Sequence, residues 1–112
     1  MANLFKTKGA ASLGTSYSGT DLYVTPGSTT TVILGLALCN KSASAVHVTA
    51  QWMDDDVSDT TYQFLEQVSV PARTTLEVLA GQKYILEAGD VLRVKAGTAG
   101  QIDATLGLME IT

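Results

Sequence analysis

Four acidic side chains lie in one short loop, and they are the strongest candidate for chemistry in this sequence. The run Asp54-Asp55-Asp56-Val57-Ser58-Asp59 offers carboxylate oxygens, which are the ligands that a hard cation such as calcium prefers. Asp54, Asp56 and Asp59 are the candidate metal ligands. The run lacks the spaced Asp, Gly and final Glu of an EF-hand loop. We therefore favour a solvated turn without a metal, whose charges oppose edge-to-edge aggregation.

The chain carries one histidine and one cysteine, which excludes most catalytic and metal sites by number. A structural zinc site takes about four ligands of these types. A dyad of Cys39 and His47 is conceivable because they flank one turn, but no third group supports nucleophilic catalysis. Cysteine on a packed strand usually behaves as a small hydrophobe. The residues therefore predict a protein that is not an enzyme and has no cofactor.

Composition limits the partners further. A net charge of -4 over 112 residues, with scattered basic residues, argues against nucleic-acid binding. No signal-peptide pattern and no apolar run of about 18 residues occurs, so we expect a soluble chain without a membrane span, made in a reducing cytoplasm. Charged residues make up 16% of the chain, below the ~25% of ordinary globular proteins. This favours a surface partly covered by neighbouring subunits; the alternative is a monomeric sandwich with a Thr-rich exterior.

The elements that position these residues centre on the stretch 29–52, TTTVILGLALCNKSASAVHVTAQW. Its alternation predicts a hairpin of two strands across a polar turn at 40–44. We expect the inward side chains to be Val32, Leu34, Leu36 and Leu38 on the first strand, and Val46, Val48, Ala50 and Trp52 on the second. The opposite face of the second strand, with His47, Thr49 and Gln51, should be mostly exposed to solvent. The small residues Gly35, Ala37 and Cys39 make the first strand apolar on both faces, which is typical of a central strand.

Turn residues divide the remaining chain into further short strands. We predict strands at 4–8, 21–25, 61–70, 74–79, 83–87, 91–96 and 102–111, the third of them an edge strand or bulged. In the last strand Ile102, Ala104, Leu106 and Leu108 share the inward face. No stretch has a capped period of 3.6 residues, so helices should be absent or single turns. The fold predicted is all-β: an antiparallel, jelly-roll-like sandwich of about eight short strands, with one domain at 21–112.

Residues 1–20 are predicted to form an N-terminal arm with a short edge strand. The segment is rich in Gly and Ser, and it either crosses to a neighbouring subunit or is a frayed terminus. Leu4, Phe5, Lys6 and Lys8 are the candidate contact residues in it. Trp52 and Tyr62, which flank the acidic loop, are a second pair of interaction candidates, although a Trp at the end of an inward face more often caps the core.

The order of features resembles a group of small virion proteins of cyanophages and related tailed phages. The similar features are Leu22-Tyr23-Val24-Thr25-Pro26-Gly27, the Thr-rich strand 29–38, the turn Asn40-Lys41-Ser42, the block SVPARTTLEVLAGQKYILEAGDVLRVKA at 69–96 and the ending Leu108-Met109-Glu110-Ile111-Thr112. They contain no catalytic or ligand motif.

The resemblance implies a structural phage protein. Such proteins look like capsid cement or decoration proteins, often trimers, which bind the major capsid protein and are located in the virion after synthesis in the bacterial host. The alternative is a neck or tail accessory protein, or a tail-fibre module that binds a carbohydrate or receptor through aromatics such as Trp52, Tyr62 and Tyr84.

Overall fold

The computed structural model describes residues 3–17, 21–55, 58, 60–79 and 81–112. Within these ranges no residue is helical, and no helix is long and apolar enough to cross a membrane. The strands are β1 (Asn3–Ala10), β2 (Asp21–Val24), β3 (Thr30–Asn40), β4 (Val46–Asp54), β5 (Thr60–Val70), β6 (Thr75–Glu77), β7 (Tyr84–Leu86), β8 (Val91–Ala96) and β9 (Ile102–Ile111).

These strands form two antiparallel sheets packed face to face. Sheet A has the order β1-β9-β3, with β6 and β7 both on the far side of β3, and sheet B has the order β2-β8-β4-β5. Because β6 and β7 pair with different halves of β3, they act as one interrupted strand. Each sheet is thus four strands wide, and the chain passes repeatedly from one sheet to the other. The predicted jelly-roll-like β-sandwich is confirmed.

The core lies between the sheets and is almost entirely aliphatic. On β9 the predicted inward set is confirmed, since all four side chains are buried. The largest side chains with less than 2% exposure are aliphatic and come from six strands; they are Leu36, Leu38, Val48, Val70, Leu86, Leu92, Val94, Ile102, Leu106 and Leu108. Burying a side chain of this size contributes about 1.5–3 kcal/mol, so these residues hold the sheets together.

The predicted hairpin of β3 and β4 is wrong, because the two strands belong to different sheets. The intervening segment 41–45 crosses between the sheets. Asn40, which is fully buried, holds this crossing: its Nδ2 donates to the carbonyls of Val70 (3.0 Å) and Ser44 (2.9 Å), and its Oδ1 accepts from the Ser42 amide (2.9 Å). The buried Asn40 side chain thus bonds three backbone groups, which in a hairpin would have been paired by the backbone hydrogen bonds between the two strands.

The predicted faces of β3 are only half right. Leu36 and Leu38 point into the core, but Leu34 is 37% exposed and Ile33 is buried in its place. The register between β3 and β9 shifts between Ile33 and Gly35. Since a bulge inserts one residue, it exchanges the two faces of the strand before it. Val32 and Leu34 therefore lie on the outer side.

The predicted wet face of β4 is also corrected. His47 is exposed as expected, but Thr49 and Gln51 are buried. β4 is flanked on both sides, and its neighbours supply polar partners: the Gln67 amide donates to Thr49 Oγ1 (3.2 Å), and Gln51 Nε2 donates to Gln63 Oε1 (3.1 Å). β5 lies at the edge of sheet B and its register with β4 shifts twice, which confirms the predicted irregular edge strand.

Candidate interaction surface

A row of large apolar side chains crosses the outer face of sheet A. Phe5 on β1 lies opposite Met109 on β9, Met109 lies opposite Val32 on β3, and Val32 lies opposite Ile85 on β7. Directly opposed residues project on the same side of a sheet. Phe5 is 71% exposed and Ile85 is 55% exposed. The row therefore presents a continuous apolar band on the side of the sheet away from the core.

Two glycines next to this row create a depression in the middle of the face. Gly35 and Gly107 are directly paired on the two central strands, β3 and β9. A shallow groove of about 310 Å³ passes over Gly107, with Phe5 and Leu34 among the residues that line it. Leu34 reaches the outer face because of the bulge. Gly107 has no other atom of the described chain within 4 Å of the place where a Cβ would be.

The interruption between β6 and β7 lies beside the same depression. The Leu36 amide donates to the Glu77 side chain (Oε1, 3.0 Å), and the Leu36 carbonyl accepts from the Val78 amide (2.8 Å). The Glu77 side-chain oxygen thus replaces the backbone carbonyl that a continuous edge strand would offer to the Leu36 amide between β6 and β7. The backbone stays paired, which a buried sheet requires.

Charge on this face comes from two acidic side chains. Among the strand residues paired on the outer side, the charged ones are Asp103 and Glu77. Asp103 forms an ion pair with Lys41 (3.0 Å). The Ser12 amide and Lys41 both lower the pKa of Asp103 below its usual value. The outward strand residues around Phe5, Met109 and Val32 are uncharged, whereas the Glu77 carboxylate lies at the opposite side of the depression, 3.5 Å from where a Cβ of Gly35 would be.

The outer face of sheet B is different in character. Arg93 Nε donates to Asp21 Oδ1 at 2.7 Å, and Lys95 Nζ lies 4.6 Å from the centre of the Tyr17 ring. Exposed polar residues such as His47 and Gln63 complete it. Charged and hydrated groups resist burial against another protein. Of the two outer faces, that of sheet A is the candidate interaction surface.

A buried polar cluster fixes β1 at the edge of this surface. Glu110, 6% exposed, accepts from the Tyr23 hydroxyl (2.5 Å) and pairs with Lys6 (2.9 Å). Because the Tyr23 hydroxyl donates its hydrogen bond to Glu110, its oxygen accepts one from the Thr31 hydroxyl (2.8 Å). The bonds from Tyr23 and Lys6 lower the pKa of Glu110, while burial and then the bond to Glu110 raise the pKa of Tyr23 to about 12. The cluster thus joins β1, β2, β3 and β9.

The predicted contact residues of β1 lie on both of its sides. Phe5 belongs to the outer face, whereas Leu4, Lys6 and Lys8 pair with inward positions of β9. Leu4 is 53% exposed at the sheet edge, and Lys6 is committed to Glu110. β1 pairs with β9 over eight residues, so its removal would strip an edge from sheet A. A separate role of residues 1–20 as an arm stays a prediction.

The other predicted site residues lie elsewhere. Trp52 and Tyr62 stack with their ring centres 4.9 Å apart at the end of sheet B, and Trp52 packs against the core. Tyr84 is not part of that pair; it meets Phe64 edge to face at 5.1 Å. Asp54 is half-buried, while Asp56 and Asp59 lie outside the described residues. Among the residues that are described, no three His, Cys, Asp or Glu side chains converge on a possible metal position.

Sequence reasoning missed the outward positions of Val32, Leu34 and Ile85, whereas the alternation of the last strand does place Met109 opposite its inward set. The available signal was that β3 is apolar on both faces, but this pattern is also typical of a central strand covered on both sides. A bulge cannot be located from alternation alone, so the sequence did not reveal which large residues face outward.

Neither a family model nor a curated protein matches the sequence. Solved structures do share the fold. One is from work on Bacillus endospore appendages, described as disulfide-linked pili, with a TM-score of 0.51, 12% identity, and coverage of 96% of this chain and 85% of that one. Another is from the T13 viral particle of IBDV, with a TM-score of 0.52, 10% identity, and coverage of 96% of this chain and 30% of that one.

At these identities the likeness establishes the fold alone. The chain has a jelly-roll-like sandwich that also occurs in a viral particle and in an appendage subunit. The closer resemblance to cyanophage cement proteins stays a prediction.

Proposed function

We propose that this protein is a structural component of a virus particle, and specifically a cement or decoration protein on the head of a tailed phage. The observation that carries the proposal is the exposed apolar band across the outer face of sheet A on a jelly-roll-like sandwich. A band of exposed large apolar residues this continuous marks a protein contact. Its role is non-enzymatic.

The physical properties of the chain support such a role. Only 16% of its residues are charged, and one outer face is apolar while the other is polar. Docking through the apolar face leaves the polar face towards solvent. A protein of this kind bridges several capsid subunits, so modest individual contacts sum through multivalency. The major capsid protein is the proposed partner and the virion the proposed location. The resemblance implies a trimer.

The test is reconstitution on phage heads. Heads of the encoding phage that lack this protein should release DNA at a lower temperature than complete heads, and added purified protein should restore the difference. A cryo-electron microscopy map of restored heads should show one β-sandwich at each bound position. Absence of the protein from purified particles, or restored protein without a gain in thermal resistance, would contradict the cement role.

A second candidate role rests on the Trp52–Tyr62 stack. Tyr62 is 44% exposed, and aromatic rings at a sheet end are a common platform for sugars. This supports a tail-fibre module that binds a carbohydrate or receptor. A glycan array separates the two roles: a specific signal that Tyr62→Ala abolishes favours the tail-fibre module, and a cement protein gives none.

A further inference from the structure

The paired glycines of sheet A have no explanation within the single chain. A Cβ at Gly107 would meet nothing within 4 Å, and one at Gly35 would meet only Glu77 Oε1 at an ordinary 3.5 Å. Neither residue has the positive φ that would demand glycine. Glycine inside a strand weakens it, and it often marks a place where another chain approaches closely. The free space over Gly107 is therefore available to something outside this chain.

The same face carries a projection beside the depression. Phe5 is the most exposed of the large apolar side chains that the structure describes, and it forms part of the wall of the Gly107 groove. A knob next to a hole on one surface is self-complementary. When two copies meet about a two-fold axis, each knob can enter the hole of the other copy.

Charge and area also favour a second copy as the occupant. Each chain carries a net charge of -4, so the repulsion between two copies is smallest when the contact is centred on the uncharged residues Phe5, Met109 and Val32 and not on Asp103 or Glu77. Four strands about 4.8 Å apart, with about ten residues at about 3.3 Å each, give the face a projected area of about 600 Å². A pleated surface has more accessible area than its projection, which brings the face to the size of one side of a stable interface, about 800 Å².

We propose that two copies of this protein associate face to face through the outer side of sheet A, each placing Phe5 in the Gly107 groove of the other. The inference rests on the proposed role as an assembly protein and names its first partner. It predicts an isologous dimer as the unit that assembles, in place of the trimer that the resemblance implies.

The test is Gly107→Val, measured by sedimentation equilibrium on the full chain. Valine fills the groove in open space on a strand, where it is a favourable residue, so the single chain should fold as before. We expect wild type to be dimeric and the variant to dimerise at least about tenfold more weakly, because overpacking a close contact is unfavourable. The melting temperature should rise with concentration for wild type and hardly at all for the variant.

Two further variants separate the contact from general surface effects. Phe5→Ser should weaken the dimer as Gly107→Val does. Val24→Ser, which changes a 51% exposed apolar residue on the edge strand of sheet B, should leave the dimer intact. A monomeric or trimeric wild type at about 100 µM, a range in which even weak dimers form, would overturn the proposal. So would a Gly107→Val protein that associates as tightly as wild type.

These outcomes are independent of the proposed function. If the wild-type protein stays monomeric but stabilises phage heads, the dimer proposal is wrong and the cement role stands. If the protein forms a dimer that Gly107→Val dissociates but does not bind heads, the dimer proposal stands and the cement role is wrong.

Discussion

Replacement of Tyr23 by phenylalanine removes one oxygen atom from the buried cluster that joins four strands. The hydroxyl donates to Glu110 and accepts from Thr31, and all three residues are at most 6% exposed. A hydrogen bond to a charged group contributes about 1.5–3 kcal/mol, and leaving a buried hydroxyl such as that of Thr31 without an acceptor costs about 1–3 kcal/mol. The variant should therefore lose about 2–4 kcal/mol of unfolding free energy at pH 7.

The same cluster predicts the response to alkali. The pKa of Tyr23 is raised from 10.0 to about 12, so the folded state holds the proton more tightly than the unfolded state. Its contribution is fully present below pH 10 and is lost between pH 10 and 12; a difference of this size corresponds to about 2.7 kcal/mol. Tyr23→Phe should lack this alkaline loss.

The response to acid has the opposite sign. The pKa of Glu110 is lowered below 4.5, chiefly by the Tyr23 hydroxyl and then by Lys6. Its contribution is present above the unfolded pKa and is lost as the pH falls through the folded pKa. Without the hydroxyl the pKa of Glu110 lies closer to its usual value, so the stability of Tyr23→Phe should depend less on pH below 4.5.

Urea unfolding followed by the fluorescence of Trp52, the single tryptophan, measures these effects at each pH. Tyr62→Phe is the matched control, because its ring is 44% exposed, and it should change stability by no more than about 0.5 kcal/mol. A loss below about 0.5 kcal/mol in Tyr23→Phe at pH 7, or an unchanged alkaline profile, would refute the reasoning.

Three further substitutions test single features of the fold. Asn40→Ala should lose about 2–4 kcal/mol of unfolding free energy, measured by urea unfolding, because several backbone groups at the sheet crossing lose their hydrogen-bond partner. A loss below about 1 kcal/mol, as is usual for a surface substitution, would contradict that role. Gly89→Ala should lower the melting temperature, since Gly89 has a φ of 88° and a Cβ there would lie 2.6 Å from Asp55 Oδ2; an unchanged melting temperature would show that the turn relaxes freely. His47→Ala should change stability by less than about 0.5 kcal/mol, because the side chain is exposed although its ring lies against Gly97, and a larger calorimetric effect would show that this contact stabilises the fold.

The sequence predicted most elements because they depend on local alternation. β8 and β9 have the predicted bounds, and the inward set of β9 is confirmed. The errors concern non-local decisions. After Asn40 the chain could either pair back along β3 or cross to the other sheet. The choice depends on the hydrogen-bond partners of Asn40, and one of them, Val70, is 30 residues away. The face of Leu34 depends on the register with β9, about 70 residues further along.

The candidate surface was predictable in part for the same reason. Phe5 was named from its place in the N-terminal strand, whereas its neighbours in the row come from three other strands. Their common face follows from strand order, which one sequence does not specify. Gly35 belongs to the small second face predicted for β3, and the structure pairs it directly with Gly107 on β9.

Three irregularities of sheet A coincide in one place. The bulge at Leu34, the pair Gly35–Gly107 and the gap between β6 and β7 all surround the same depression, whereas β1 pairs with β9 over eight residues without a shift. Each departs from what a stable sheet favours: a bulge disrupts the ladder, glycine weakens a strand and an interrupted edge loses hydrogen bonds. Local departures of this kind from the rules of stable sheets are expected at functional sites. The bulge brings Leu34 outward, the glycines lower the floor and Glu77 keeps the backbone paired. Together they build a concave site between Phe5 and the Glu77 carboxylate, which supports the proposed role in assembly.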